Sequence, residues 1–179
     1  MNLPNKITLF RVAMIPVFLV LLLVPGIPYG NYAATAVFLL ACLSDALDGY
    51  LARKYNLVTN FGKFMDPLAD KLLVCSALIC FVELSYMPAW IVIVIIAREF
   101  IISGFRLIAS DNGVVIAASY WGKFKTIAQM TACILLLVQL PFQWAETAEQ
   151  IFIYLALLLT VVSLCEYIWK NRKVLSEKK

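Results

Sequence analysis

The sequence predicts an all-α polytopic membrane protein with six transmembrane helices, a short N-terminal interfacial segment and both termini in the cytoplasm. The 179 residues are 63% hydrophobic and only 15% charged, and they include no histidine. This composition, with a mean hydropathy of +0.89, lies far from that of soluble domains. Six apolar stretches are long enough to cross about 30 Å of hydrocarbon. No linker, repeat or low-complexity tract divides the chain, so residues 1–179 are expected to form a single membrane domain.

The elements follow in order from these apolar stretches. The segment Asn2–Arg11 carries two cations among apolar residues and is expected to lie along the membrane interface. The apolar residues after it run into Pro25 and Gly26 without a small-residue cleavage site, so the first span is expected to be retained. The predicted spans are residues 7–24, 31–50, 63–82, 88–108, 122–141 and 149–169.

The distribution of cations orients these spans. All 15 lysines and arginines lie at the N-terminus, around the second and third spans, toward the connection between the fourth and fifth, or after the sixth. The loops 25–30, 83–87 and 142–148 contain none. Because short cytoplasmic loops collect positive charge, both termini are expected inside the cell. The net charge of +4 is thus explained by topology, and nucleic acid is not needed as a partner.

Four aspartates interrupt the apolar chain between Ser44 and Lys71, in the spacing D-x-x-D-G-x-x-A-R-x(8)-G-x-x-x-D-x-x-x-D. Ionisable groups at membrane depth are costly, and they usually mark a functional site. The fixed positions of the pattern are Asp45, Asp48, Gly49, Ala52, Arg53, Gly62, Asp66 and Asp70.

The spacing of the aspartates predicts a metal site. Asp45 and Asp48 share one helix face, as do Asp66 and Asp70, and the short connection between them places the two helices side by side. Four unneutralised carboxylates would repel one another, and divalent cations remove that repulsion. With oxygen ligands only, Mg²⁺ or Mn²⁺ fits best, and two ions are expected to hold phosphate groups. Asp66 alone has another explanation, as the helix N-cap before Pro67.

Small and basic residues between the aspartates have two interpretations each. Gly49, Ala52 and Gly62 allow a flat nucleotide to approach the backbone, but they also suit helix packing alone. Arg53 lies about one turn beyond Asp48, where it either binds phosphate oxygens or acts as an ordinary interfacial arginine.

The full pattern resembles the signature of the CDP-alcohol phosphotransferases, matching it at every fixed position. The resemblance implies a six-helix bundle, usually a homodimer, with a two-metal site on the cytoplasmic side and the displacement of CMP from a CDP-linked lipid. It also implies that Asp45, Asp48 and Asp66 are metal ligands, and that Asp70 is the general base and also a metal ligand. The CDP-lipid would lie against Gly49, Ala52, Arg53 and Gly62.

A second group of basic residues bears on the acceptor alcohol. Four cations near a lipid-enzyme site favour an acceptor that carries phosphate, namely glycerol 3-phosphate; the alternative is that they are membrane anchors. Pairing of Arg98 with its neighbour Glu99 is expected to be poor, because adjacent helical residues diverge. The four are Arg98, Arg106, Lys123 and Lys125.

Three further segments resemble the members of the family that make phosphatidylglycerophosphate. They are A-R-E-F-x-I-S-G-x-R and G-K-x-K-T around the basic residues, and N-x-P-N-x-x-T-x-x-R near the N-terminus. In the last, Asn5, Thr8 and Arg11 are assigned to the rim of the nucleotide or lipid site, although Asn5 and Thr8 also suit caps of the first helix.

The expected reaction transfers a phosphatidyl group from CDP-diacylglycerol to glycerol 3-phosphate in a bacterial cell membrane, with the active site on the cytoplasmic side and membrane lipid around the protein. One alternative keeps the chemistry but uses inositol phosphate or serine as acceptor. An alternative of another class is a divalent metal-ion transporter, which predicts mid-membrane carboxylates and inverted repeats. The aspartates instead cluster toward the cytoplasmic ends of two spans in one half of the chain, which favours the enzyme.

Overall fold

Helices make up nearly all of the regular structure. The computed structural model describes residues 3–54, 60–111 and 119–172, and within these ranges it contains six α-helices and no strand. Each helix overlaps one predicted span, so the all-α prediction with six helices is confirmed. The helices are α1 (Leu3–Leu23), α2 (Gly30–Lys54), α3 (Asn60–Glu83), α4 (Ala89–Asp111), α5 (Tyr120–Val138) and α6 (Gln143–Lys170).

The starts of α1 and α6 differ most from the sequence prediction. α1 runs unbroken from Leu3, so no turn separates the expected interfacial segment from the first span. α6 begins six residues earlier than expected, at Gln143. Its first turn carries Glu146, a favourable charge at the positive end of a helix, and polar residues can extend a helix beyond its apolar run. Hydropathy alone therefore located the helices but not their ends.

Within the described residues, one helix is both long and apolar enough to cross a bilayer by itself, namely α6. The apolar stretches Ile7–Leu23 and Gly30–Ser44 are shorter. Charged residues interrupt the remaining helices, as Arg98 and Glu99 do in α4.

The first of two packed groups contains α1, α2 and α3, together with the short segment Leu137–Gln139. α1 packs against both α2 and α3, and α2 also contacts α3. Phe18 of α1 and Phe38 of α2 are fully buried, with ring centroids 5.9 Å apart. Gly30 lets α2 start close to α1, because a Cβ there would lie 2.6 Å from the carbonyl oxygen of Leu21. These contacts fix α1 and α2 against each other as neighbours.

The second group contains α4, α5 and α6, and α4 packs directly on α6. Its apolar core includes Ile95 of α4 and Ile153 of α6. Phe105 and Tyr167 meet edge to face, with ring centroids 6.1 Å apart. Buried polar groups accompany this apolar core, and they form part of the candidate site.

Candidate functional site

The four aspartate positions lie at the same end of the α2–α3 pair. Asp48 is six residues before the end of α2 at Lys54, and Asp66 is six residues after the start of α3 at Asn60. At 1.5 Å per residue, both positions lie about 9 Å from the connection between the helices. Asp45 and Asp70 lie about one turn deeper. The bounds of α2 and α3 therefore place the two pairs at similar distances from the connection between the helices.

The helical register predicts that these positions continue the buried faces of α2 and α3. Buried positions 34, 38 and 41 of α2 continue in three- and four-residue steps to 45, 48 and 52. Buried positions 69, 73 and 77 of α3 step back in the same way to 66 and 62. The side chains of all eight signature residues, and that of Asn5, lie outside the described part of the structure.

α1 brings two buried polar residues to this end of the group. Thr8 is 1% and Arg11 0% exposed, and they begin a buried stripe that continues through Phe18. α1 and α2 are antiparallel, because a short turn joins them. The Phe18–Phe38 contact sets positions 8 and 11 within about one turn of positions 45 and 48. Thr8 is also too far inside α1 to be its N-cap, which removes that alternative.

The second group contains a buried ionic cluster. Arg98 is 7% and Lys125 2% exposed. Oε1 of Glu99 accepts a hydrogen bond from Nη1 of Arg98 at 3.1 Å and another from Nζ of Lys125. The expectation that Arg98 would pair poorly with Glu99 is therefore wrong, because the long guanidinium side chain turns back to a carboxylate that α5 also contacts.

Arg98 is also held by α6 and lies against α5. Its Nε donates to Oγ of Ser163 at 3.2 Å, and Oγ of Ser163 donates to the carbonyl oxygen of Thr160 at 3.0 Å. Nη2 of Arg98 is 3.2 Å from the place where a Cβ on Gly122 would stand. Sequence reasoning rejected Glu99 as a partner of Arg98, and it missed Ser163. A signal for Ser163 existed, because Thr160 and Ser163 are polar, three apart and therefore on one face of the apolar helix α6.

The other two predicted acceptor residues are exposed. Lys123 lies over the ring of Tyr120, with Nζ 5.3 Å from the centroid, and it faces away from Lys125 because residues two apart on a helix diverge. Arg106 lies two turns beyond Arg98 on α4 and is also exposed. The predicted four-cation cluster thus consists of a buried pair, linked through Glu99, and an exposed pair.

Comparison with known proteins identifies the family. Residues 1–162 match the sequence profile of the family described as CDP-alcohol phosphatidyltransferase. The chain belongs to this family. The CDP-alcohol phosphatidyltransferase match includes α1 to α5 and most of α6, and it covers both packed groups. The resemblance inferred from the aspartate pattern is confirmed.

Several curated members of the CDP-alcohol phosphatidyltransferase family are similar to this chain over nearly its whole length. One from Bacillus subtilis is 48% identical, covering 97% of this chain and 97% of its own. One from Haemophilus influenzae is 41% identical over 93% of this chain and 91% of its own, and one from Escherichia coli is 39% identical over 93% of both. All three are named CDP-diacylglycerol--glycerol-3-phosphate 3-phosphatidyltransferase.

The four aspartates of α2 and α3 have the chemistry to bind a divalent cation, which CDP-alcohol phosphatidyltransferases generally require. α2 and α3 offer carboxylates from four positions at matching depths, with no nitrogen or sulfur ligand among them. Hard cations prefer this oxygen set. The described side chains alone contain no group of three acidic, histidine or cysteine residues able to hold a metal, and the four aspartate side chains lie outside them.

Proposed function

We propose that this chain transfers the phosphatidyl group of CDP-diacylglycerol to glycerol 3-phosphate, giving phosphatidylglycerophosphate and CMP. The observation that carries the proposal is the 48% identity, across 97% of both chains, to the Bacillus subtilis protein named for this reaction. Identity at this level across nearly the whole of both chains supports the same substrates as well as the same fold. The relatives from two further bacteria bear the same name.

The aspartates of α2 and α3 are the proposed metal ligands. Asp45, Asp48, Asp66 and Asp70 would hold two divalent ions, Mg²⁺ or Mn²⁺. Bound ions would neutralise the charge that develops on the departing nucleotide phosphate. The two aspartate pairs lie at similar distances from the connection between α2 and α3, and this supports the assignment, because ligands of a shared metal site must lie side by side.

Asp70 is the proposed general base. Its carboxylate takes the proton of an acceptor hydroxyl, and the freed oxygen attacks the phosphorus that carries the diacylglycerol group. The new phosphorus–oxygen bond forms as the bond to CMP breaks, and CMP leaves with the electron pair of that bond. Asp70 lies nearest the middle of α3 among the acidic positions of that helix, one turn beyond Asp66.

The CDP part of the lipid substrate is assigned to the residues around the aspartates. Their small side chains leave room for a nucleotide, and a buried cation at the same helix end favours a diphosphate. The complete burial of Arg11, and the register that sets it near positions 45 and 48, support its inclusion. The residues are Gly49, Ala52, Arg53, Gly62, Asn5, Thr8 and Arg11.

The phosphate of glycerol 3-phosphate is assigned to the basic residues of α4 and α5. Arg98 and Lys125 are buried with Glu99 between them, so two cations share one described anion. An anionic acceptor would balance the remaining positive charge, which is costly to bury alone. Arg106 and Lys123 are exposed and are assigned to the outer part of the same site.

The proposed location is the cell membrane of a bacterium, with several spans, the active site in the cytoplasm and a homodimer as the assembly. α6 supports insertion, because Trp144 and Trp169 near its two ends are 62% and 72% exposed. They are 25 residues apart, or about 37 Å at 1.5 Å per residue, which matches the interfacial belts preferred by tryptophan. The family match over both helix groups supports one functional domain for residues 1–179.

The deciding experiment is CMP release by the purified protein in detergent, with CDP-diacylglycerol and one acceptor at a time. We expect turnover with glycerol 3-phosphate in Mg²⁺ or Mn²⁺ and its loss in EDTA. Turnover with serine or inositol phosphate but none with glycerol 3-phosphate would assign a different acceptor. Flux of Mn²⁺ into proteoliposomes without any CMP release would replace the enzyme with a transporter.

A further inference from the structure

The guanidinium of Arg98 is fixed by all three helices of the second group. Nη1 bonds to Glu99 on its own helix, Nε bonds to Ser163 on α6, and Nη2 lies beside Gly122 of α5. Arg98 is 7% exposed, so water contributes little to holding it. The direction of its remaining N–H groups is therefore set by protein contacts.

Ser163 acts on Arg98 only as a hydrogen-bond acceptor. A serine hydroxyl has one proton, and here it is donated to the carbonyl oxygen of Thr160 at 3.0 Å. The lone pairs of Oγ are left for Nε of Arg98, at 3.2 Å. Ser163 is 0% exposed. Threonine at this position would keep the acceptor, whereas valine would keep the threonine shape without it.

The third side of the guanidinium faces the first turn of α5. Among the described residues, Nη2 of Arg98 forms no hydrogen bond. It lies 3.2 Å from the position of a Cβ on Gly122, two residues after the start of α5 at Tyr120. Ser119 caps this turn, because the N–H of Gly122 donates to its Oγ at 3.1 Å and the N–H of Lys123 donates to its carbonyl oxygen at 3.2 Å. Among the described contacts, the N–H groups of Tyr120 and Trp121 are the ones left in the first turn, the end of a helix that favours anions.

We propose that Ser163 is a positioning residue for the acceptor phosphate. It fixes Arg98 so that Nη2 and the first turn of α5 bind the phosphate of glycerol 3-phosphate together. Gly122 takes part by leaving the space that the guanidinium and the phosphate occupy. The inference rests on the proposed function, because it names the place where the acceptor of that reaction binds.

The test compares Ser163→Val with Ser163→Thr in the purified enzyme. The two side chains have the same shape, so any packing cost is common to both. We expect the KM for glycerol 3-phosphate to be about tenfold higher for valine than for threonine, as expected for loss of one bond to a charged group. The kcat and the KM for CDP-diacylglycerol should stay within about twofold. Equal acceptor KM values for the two variants would overturn the proposal.

A control on α6 separates positioning from packing. Thr160 is fully buried one turn away, and its hydroxyl bonds to the carbonyl oxygen of Ala156 in its own helix. Thr160→Val removes a buried hydroxyl without touching Arg98, and we expect its acceptor KM to equal that of the wild type. An acceptor KM raised as much as in Ser163→Val would show a general packing effect and overturn the proposal.

Gly122→Ala tests the proposed phosphate site from the side of α5. Its Cβ would meet Nη2 at 3.2 Å, so the guanidinium must move by a few tenths of an ångström, while alanine itself favours the helix by about 1 kcal/mol. We expect unchanged or higher thermal stability with a raised acceptor KM, and an unchanged KM would contradict the assignment. A wild type that releases no CMP with glycerol 3-phosphate would refute the proposed function instead.

Discussion

Burial of charge distinguishes three of the proposed site residues at the scale of single side chains. Arg11, Arg98 and Lys125 are all at least nine-tenths buried, although lysine and arginine are rarely so unless they are paired. Lys125 and Arg98 share Glu99. Such a cluster is costly to form, and this cost supports the proposal that its charges bind phosphate.

The two lysines of α5 offer a matched comparison of stability. Lys125→Met removes one cation from the buried cluster and leaves the carboxylate of Glu99 with one bond fewer, which we expect to cost about 3 kcal/mol. Lys123→Met removes an exposed cation over Tyr120 and should cost at most about 1 kcal/mol. Thermal unfolding in detergent measures both. Similar losses for the two variants would contradict the buried-cluster interpretation.

The aspartates are expected to differ from one another in their effects. Asp45→Asn or Asp48→Asn should lower kcat by at least about a hundredfold and weaken Mn²⁺ binding, because each removes a charged ligand. Asp70→Asn should lower kcat by at least about a hundredfold, the contribution typical of a general base, while keeping most of the metal affinity. CMP release and calorimetric Mn²⁺ titration measure the two properties. Equal loss of metal affinity in all three variants would remove the base assignment of Asp70.

At the scale of helices, the existence and order of the elements were predictable, because hydropathy reports what a span must bury. The location of all four aspartate positions at one end of the α2–α3 pair also followed from their spacing and from the short connection between the two helices. The bond between Ser163 and Arg98 did not, because it joins residues 65 apart and depends on how α4 is rotated against α6. Spacing along one helix carries no information on that rotation. The side-chain directions of the aspartates are likewise predictions from spacing alone.

The approach of α1 to α2 depends on a glycine. Gly30→Ala would put a Cβ 2.6 Å from the carbonyl oxygen of Leu21, a backbone atom that cannot turn away, and we expect a cost of about 1–3 kcal/mol. Gly104→Ala in α4 is the control, because its Cβ would meet nothing within 4 Å, and it should be neutral or slightly stabilising. Melting temperatures in detergent test the pair. Equal effects would mean that the close approach at Gly30 is unimportant.

At the scale of the whole molecule, the distribution of cations predicts the orientation in the membrane. The loops 25–30, 83–87 and 142–148 contain no lysine or arginine, and the rule of cytoplasmic positive charge assigns them to the outer side. The family membership does not by itself give this orientation. The proposal that the active site faces the cytoplasm therefore depends on charge distribution, and it is open to direct measurement.

Cysteine labelling in intact cells measures the orientation. The five native cysteines are first replaced, and Ile27→Cys or Asn171→Cys is then introduced into that background. A membrane-impermeant thiol reagent should label position 27 in intact cells and position 171 only after permeabilisation. The reverse pattern would place the termini outside and would remove the cytoplasmic assignment of the active site. Labelling of neither position before permeabilisation would contradict the expected outer loop.

The ionic cluster of α4 has a consequence for biosynthesis. In the proposed topology, α4 leaves the ribosome with Arg98 and Glu99 in the middle of its sequence, before Lys125 and Ser163 have been translated. A helix with two such charges partitions poorly into lipid on its own. We expect α4 to stay beside the translocation channel until α5 and α6 emerge, so that the last three helices enter the bilayer as one cooperative unit.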